Sequence, residues 1–451
     1  MKPLLIEIGC EELPAGASAR LVEAFAERIK ARLLEAGVAI EPRVGVTPRR
    51  LLVHARCPER TPPRERIVWG PPVRVAFDEG GNPTPAAQGF ARKVGVALDA
   101  LEQRLRPPKN EAYLAAVQQE PGRSVAELLA EALPELLRAL PMPKRMRWAQ
   151  GKAREDAFLR PIRWIVARLG KERIPFAYAG VESGFVSFGH RVHGAQGEMD
   201  PEDPFGWLEA QYVIADRETR MARIREQIQQ LARAEGLSVV EDAELLEEVA
   251  DLTEWPKALL CRFDAEFLRL PEAVIRTTLK HHQRCFALRK PDGGLAPAFI
   301  AVANLEPPEP RLVAKGNERV VRARLSDAAF YFDRDPEIPL PRRVPMLEGI
   351  VFQAGLGTMR DLAERLSFGT RWLAEQVAAD AELAARAALL AKADLTTGLV
   401  GEFPELQGTI GGVYAEMAGE PEAVAEAIRE HYLPEGGDDA LPRSLLARLI
   451  G

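Results

Sequence analysis

Cysteine is scarce in this chain. Four of 451 residues are cysteines (Cys10, Cys57, Cys261 and Cys285), and no two form a CxxC pair. That excludes a zinc knuckle and a disulfide framework, and leaves four buried or idle thiols as the expectation. Histidine is nearly as rare, with six residues at 54, 190, 193, 281, 282 and 431. His190 and His193 are close, but on an extended segment residues three apart face opposite sides, so joint metal ligation is not expected. Long apolar runs are missing too. No stretch approaches the roughly 20 residues that span a bilayer. The N-terminal MKPLLIEIGCEELP has too short an apolar core for a signal peptide, and acids follow it at once. The reading is a cytoplasmic protein without a membrane partner.

Catalytic signatures are absent as well. There is no GxxxxGK[ST] loop and no GxGxxG after a strand, and AGLGTMR (354–360) offers only a GxG start. There is no HExxH, no GxSxG, and no HIGH or KMSKS-like pair. No catalytic residue, metal site or cofactor is therefore assigned to this chain.

What is present is an ordinary globular composition, 47% hydrophobic and 28% charged, with a formal net charge of −6. The charge is unevenly spread. Residues 336–451 carry 10 Lys and Arg against 18 Asp and Glu, which leaves 50 against 48 in residues 1–335. Basic residues cluster at 43–66 (seven Arg, two Glu), 142–163 (seven Lys and Arg, two acids) and 276–290 (five Lys and Arg, two His, no acid). Such patches can bind phosphates on a protein that is acidic overall.

The periodicities give an α+β multidomain fold, a mixed α/β N-terminal region followed by an all-helical one. PLLIEIG reads as a strand, and 18–36 as an amphipathic helix stopped by Gly37. TPRRLLVHA (47–55) reads as a strand entered through a proline, and 124–140 as a helix. FLRPIRWIVARLG (158–170) is ambiguous, and 178–192 alternates like strands. Helices are expected near 216–236 and 241–251, and strands at ALLCRF and LAPAFIAVANL. Proline-rich segments place the main boundary near 336–345. The mixed region is 1–340, with subdomain boundaries near 60–70 and 195–205, and the helical region is 341–451.

HHQRCF (281–286) looks at first like an active site. Cys285 precedes a core-like Phe-Ala-Leu run, however, and a basic segment with a Gln donor suits phosphates, ribose or bases better than catalysis. The candidate RNA contacts follow the basic clusters. They are Arg49 and Arg50 at the start of a strand, and Lys144, Arg145 and Arg147 beside Trp148 as a charge and a stacking surface together. His190 and Arg191 lie in a glycine-flanked turn, and Lys280, His282, Gln283 and Arg284 in the HHQRCF segment. Arg319, Arg322 and Arg324 complete the set. Read as a strand, the last three set Arg319 apart from the other two, with Asp327, Tyr331 and Asp333 following to hold the arginines.

Eleven stretches in order carry a resemblance: EIGCEELPAGA, TPRRLLV, AAQGFARKVGV, MPKRMRW, FLRPIRWIV, GHRVHG, ELLEEVADLTEWP, LKHHQRCF, GNERVVRARLSDAAFYFDRD, LGTMRDLAER and KADLTTGLVGEFPELQGTIGGVYA. Together they resemble the beta subunit of the bacterial heterotetrameric (alpha2beta2) glycyl-tRNA synthetase, from the first residues to about 434. The resemblance implies a tRNA-binding, non-catalytic subunit. Adenylation, with its ATP and Mg, lies in a separate alpha subunit, and the partners are that subunit and tRNA(Gly). It also implies that 341–451 is similar to HD-type phosphohydrolases, with a degenerate metal site. Two departures stand out. Cys285 occupies an aromatic position of the family, and LPRSLLARLIG replaces a family helix, so that the chain reads as shortened, without the anticodon-binding region. Two rivals remain. One is a non-enzymatic RNA-binding or assembly protein derived from that subunit. The other is a metal-dependent HD phosphohydrolase, which needs an adjacent His-Asp pair where this chain has Ala393-Asp394, with His431 the sole histidine of the region.

Overall fold

The computed structural model describes residues 1–78, 80–108, 111–434, 436 and 440–451. The chain divides into two compact units, residues 1–220 with 250–255, and residues 221–249 with 256–451.

The first unit is built on a sheet of β1 (Lys2–Cys10), β2 (Arg43–Thr47) and β3 (Arg50–Cys57). A second sheet is made of β4 (Arg64–Pro72), β5 (Glu102–Arg106) and β6 (Glu111–Glu120) in the order β4-β6-β5. The chain then rejoins the first sheet through β7 (Ile162–Leu169), β8 (Glu172–Arg173), β9 (Ala177–Tyr178) and β10 (Val181–Gly184). The order is β2-β3-β1-β7-β10-β9, with β8 on β7. A small hairpin, β11 (Val186–Phe188) with β12 (Gln196–Glu198), follows. FLRPIRWIVARLG thus resolves as a strand, and the proline of TPRR lies in the turn between β2 and β3.

Side-chain alternation places the core. Leu4, Ile6 and Ile8 pack under the helices Ser18–Glu35 and Val125–Arg138, whereas Leu5 faces Trp164, Phe205 and Leu208 on the opposite side. This is a sheet buried on both faces, which accounts for β1 reading as a continuous apolar run. Gly9 has its own reason. A Cβ there would lie 1.9 Å from Trp164 Cε2, so only glycine lets that indole cross the strand.

The second unit has a four-stranded antiparallel sheet in the order β13-β15-β16-β14, from β13 (Ser238–Val239), β14 (Lys257–Arg262), β15 (Phe286–Arg289) and β16 (Leu295–Ala303). The helix Pro310–Arg334 follows, and then a largely helical region with one hairpin, β17 (Val351–Gln353) and β18 (Gly357–Thr358). The expected boundary near 336–345 falls inside this unit. It is not a division of the core, because Leu259, Phe299, Val321, Leu390, Phe403 and Ile428 belong to one continuous hydrophobic cluster. AGLGTMR is the hairpin turn and helix start. Thr358 and Asp361 close a reciprocal capping box there, which explains the glycine-rich spelling without a nucleotide.

Candidate nucleic-acid interface

HHQRCF sits on an irregular turn. The helix Glu272–Thr277 widens into a π-helical turn over Thr278–His282, and Arg284 takes a left-handed φ of 50°. Cys285 N donates to Leu279 O (2.9 Å), which folds the chain back into β15. Cys285 is buried, and burial pushes its thiol well above the ordinary range, so the core reading of this cysteine holds.

The basic side chains around the turn differ sharply in their freedom. Lys280 Nζ reaches Asp242 (2.9 Å) and Glu244 (2.8 Å), and Arg284 Nε reaches Glu248 (3.0 Å). Gln283 is half-buried, and its carbonyl accepts from Cys285 Sγ. His282 points inward. Its Nδ1 accepts from Arg324 Nη2 (2.6 Å), its ring lies 5.0 Å from that of Phe403, and its Nε2 is 3.7 Å from Glu405. Burial and the Arg324 charge push its pKa down, so it is a neutral acceptor at pH 7. Arg324 also bonds Glu402 and lies over the Phe403 ring. His282 and Arg324 are thereby locked into a structural network and are corrected as RNA contacts.

Arg319, Arg322 and Arg324 stand on the helix Pro310–Arg334, not on a strand. Helical spacing puts Arg319 and Arg322 on one face and turns Arg324 away, the reverse of the strand expectation. Arg322 pairs with Asp264, while Arg319 is exposed and has no polar partner among the described residues. Asp333 serves Arg269 rather than any of the three.

Two candidates of the first unit are corrected outright. Arg50 is fully buried. Its Nη1 bonds Glu7 (2.8 Å) and its Nη2 bonds Glu254 (3.2 Å), while Trp164 Nε1 and Thr47 Oγ1 bond the same two carboxylates. A guanidinium held by two buried carboxylates does not meet phosphate. Arg49 is half-buried, with its Nε lacking a hydrogen-bond partner. His190 is buried as well, and its Nδ1 accepts the amides of Val192 (3.2 Å) and His193 (3.3 Å). The GHRVHG segment is a turn, not extended, and the rings of His190 and His193 stack at 5.2 Å. Arg191 is exposed and pairs with Glu11 and Glu12.

The 142–148 cluster splits. Arg145 donates to Arg138 O and Leu140 O (both 3.0 Å), closing the end of the preceding helix. Trp148 is half-buried against the unit's core, so it offers less stacking surface than expected. Lys144 and Arg147 are exposed, without polar partners among the described residues.

Two side chains escaped residue-by-residue selection, although they lie in the acid-free 276–290 cluster. Arg276 faces solvent, and its nearest acid, Glu272, is 3.9 Å away and already held by Arg289 (2.7 Å). His281 is exposed beside it, with its ring unpaired among the described residues.

In the helical region, Lys392 Nζ lies 2.9 Å from His431 Nε2 and 3.7 Å from the centre of the Tyr432 ring. Burial pushes Lys392 down to about 8, Asp394 up to about 6 and, with the Lys392 charge, His431 down to about 4. Asp394 Oδ2 accepts Gly408 N (2.7 Å). Among the described residues no group of three or more His, Cys, Asp or Glu is placed to hold a metal. A lysine beside the sole histidine is the wrong donor for a divalent cation, so these residues do not fit a metal centre.

A family model described as "Glycyl-tRNA synthetase beta subunit" matches residues 4–451. The chain is 43% identical over 455 residues to the glycine–tRNA ligase beta subunit of Trichlorobacter lovleyi, covering 100% of this chain and 65% of that protein. It is 44% identical over 446 residues to the corresponding protein of Desulforudis audaxviator (97% and 64%), and 41% over 451 residues to that of Coxiella burnetii strain RSA 493 (99% and 65%). The chain thus spans about 65% of the length of these curated relatives.

Proposed function

We infer the function from one premise: this chain belongs to the glycyl-tRNA synthetase beta-subunit family. Its role is to bind tRNA(Gly) and present it to an alpha subunit that carries out ATP- and Mg-dependent attachment of glycine, in an alpha2beta2 assembly in the cytoplasm. The carrying observation is the family match along nearly the whole chain. Exposed cations support it. Lys144, Arg147 and Arg319 are solvent-facing without an ion-pair partner among the described residues, which is the state phosphate contacts require. Arg284, Arg322 and Arg191 sit in partly exposed pairs worth about 0–1 kcal/mol each, which a phosphate can displace.

The test is equilibrium binding of the chain to tRNA(Gly) and to a matching alpha subunit. Binding to both is expected. Binding to tRNA without the alpha subunit would favour the RNA-binding or assembly reading, and binding to neither would sink both.

A further inference from the structure

Beside the π-helical turn lies a cavity of about 260 Å³. It is below the roughly 300–1,000 Å³ of typical small-molecule sites, and is sized for one base with its sugar rather than a dinucleotide. Its apolar lining comes from Val240, Leu245, Ala273 and Ala287, and its polar lining from Asp242, Arg276, Thr277, Lys280 and His281.

Each part has a chemical reading. The aliphatic wall is a surface for a flat apolar face. Thr277 carries a hydroxyl and Asp242 a carboxylate, groups that match the polar edge of a base or the hydroxyls of a ribose. Asp242 already caps a helix start through Leu245 N (2.9 Å) and holds Lys280, so this wall is fixed before any ligand arrives. Arg276 supplies positive charge, and Arg276 and His281 supply N–H donors, for a phosphate. A free phosphate would leave the apolar wall unused, and paired bases cannot enter a concave pocket.

We propose that this pocket binds one unpaired nucleotide of RNA, its base against Leu245 and Ala273 and its phosphate on Arg276 and His281. The proposal rests on the tRNA-binding reading above and names the part of the RNA that this face takes.

The experiment compares two labelled RNAs by fluorescence anisotropy, a single-stranded oligoribonucleotide containing all four bases and a blunt duplex of the same sequence. It uses the full chain, Ala273→Trp, which fills the pocket from its half-buried rim, and Arg276→Glu, which inverts the phosphate contact on an exposed side chain. Melting curves confirm that each variant is folded. Both variants are expected to weaken single-strand binding at least tenfold and to change duplex binding less than twofold. Equal loss on both RNAs would reduce the site to general electrostatics and overturn the proposal. Unchanged single-strand binding in both folded variants, or no single-strand binding by the parent chain, would overturn it too. If Ala273→Trp unfolds, Arg276→Glu decides alone. In each overturning case intact tRNA(Gly) binding by the parent chain leaves the function above standing, and its loss removes that function as well.

Discussion

Arg50 and the Lys392, Asp394 and His431 group show how a residue's surroundings decide its role. Arg50 reads as a phosphate contact and acts as a buried keystone, because Glu7 and Glu254 would otherwise be uncompensated carboxylates. Arg50→Leu is expected to cost about 3–5 kcal/mol of stability in a denaturant titration. It should leave tRNA affinity unchanged at temperatures where the variant stays folded. The helical region gives a pH test. Asp394, raised to about 6, holds more protons folded than unfolded between about pH 4 and 6, so it makes stability fall as pH rises. His431, lowered to about 4, holds fewer protons folded than unfolded between about pH 4 and 6.5, so it makes stability rise. The two oppose one another, each worth about 3 kcal/mol across its window. Relative to the parent chain, Asp394→Asn should therefore gain stability from pH 4 to 6, and His431→Gln should lose it. Parallel profiles for all three proteins in urea titrations would contradict this reading.

Among the elements, β1 and the Pro310–Arg334 helix mark what could and could not be read ahead. The strand was legible because its apolar run is short and bounded by turn signals. FLRPIRWIVARLG stayed ambiguous because a strand buried on both faces loses its alternation. The arginines at 319–324 were misplaced on a strand although Val321, Leu325 and Ala328 already recur at helical spacing and are buried. Gly316 and Asn317, both poor helix formers, dilute that signal. Gly9 carries a sharper test at this scale. Gly9→Ala forces a methyl into the Trp164 ring and should destabilise by about 1–3 kcal/mol in a thermal or urea melt, as overpacking does. A neutral effect would mean the indole can move away freely.

Over the whole chain, basic clusters proved a good guide to where cations lie and a poor guide to which are free, because ion pairing depends on acids distant in sequence. Glu254 holds Arg50 and Glu402 holds Arg324, across separations no local pattern displays. The distinction yields a specific variant. Lys144→Glu with Arg147→Glu spares Arg145, whose bonds close a helix, and should weaken tRNA(Gly) binding about tenfold and flatten its salt dependence in filter binding. An unchanged salt slope would remove that patch. The fold class was likewise legible, and the division of the core was not, since the helical region shares its interior with β14 and β16. The most direct test of the account is glycine charging of tRNA(Gly) by this chain mixed with a matching alpha subunit, beside each alone. Charging by the mixture only is the expected result. Equal charging by the alpha subunit with and without this chain would contradict the claim that it is a working part of the synthetase.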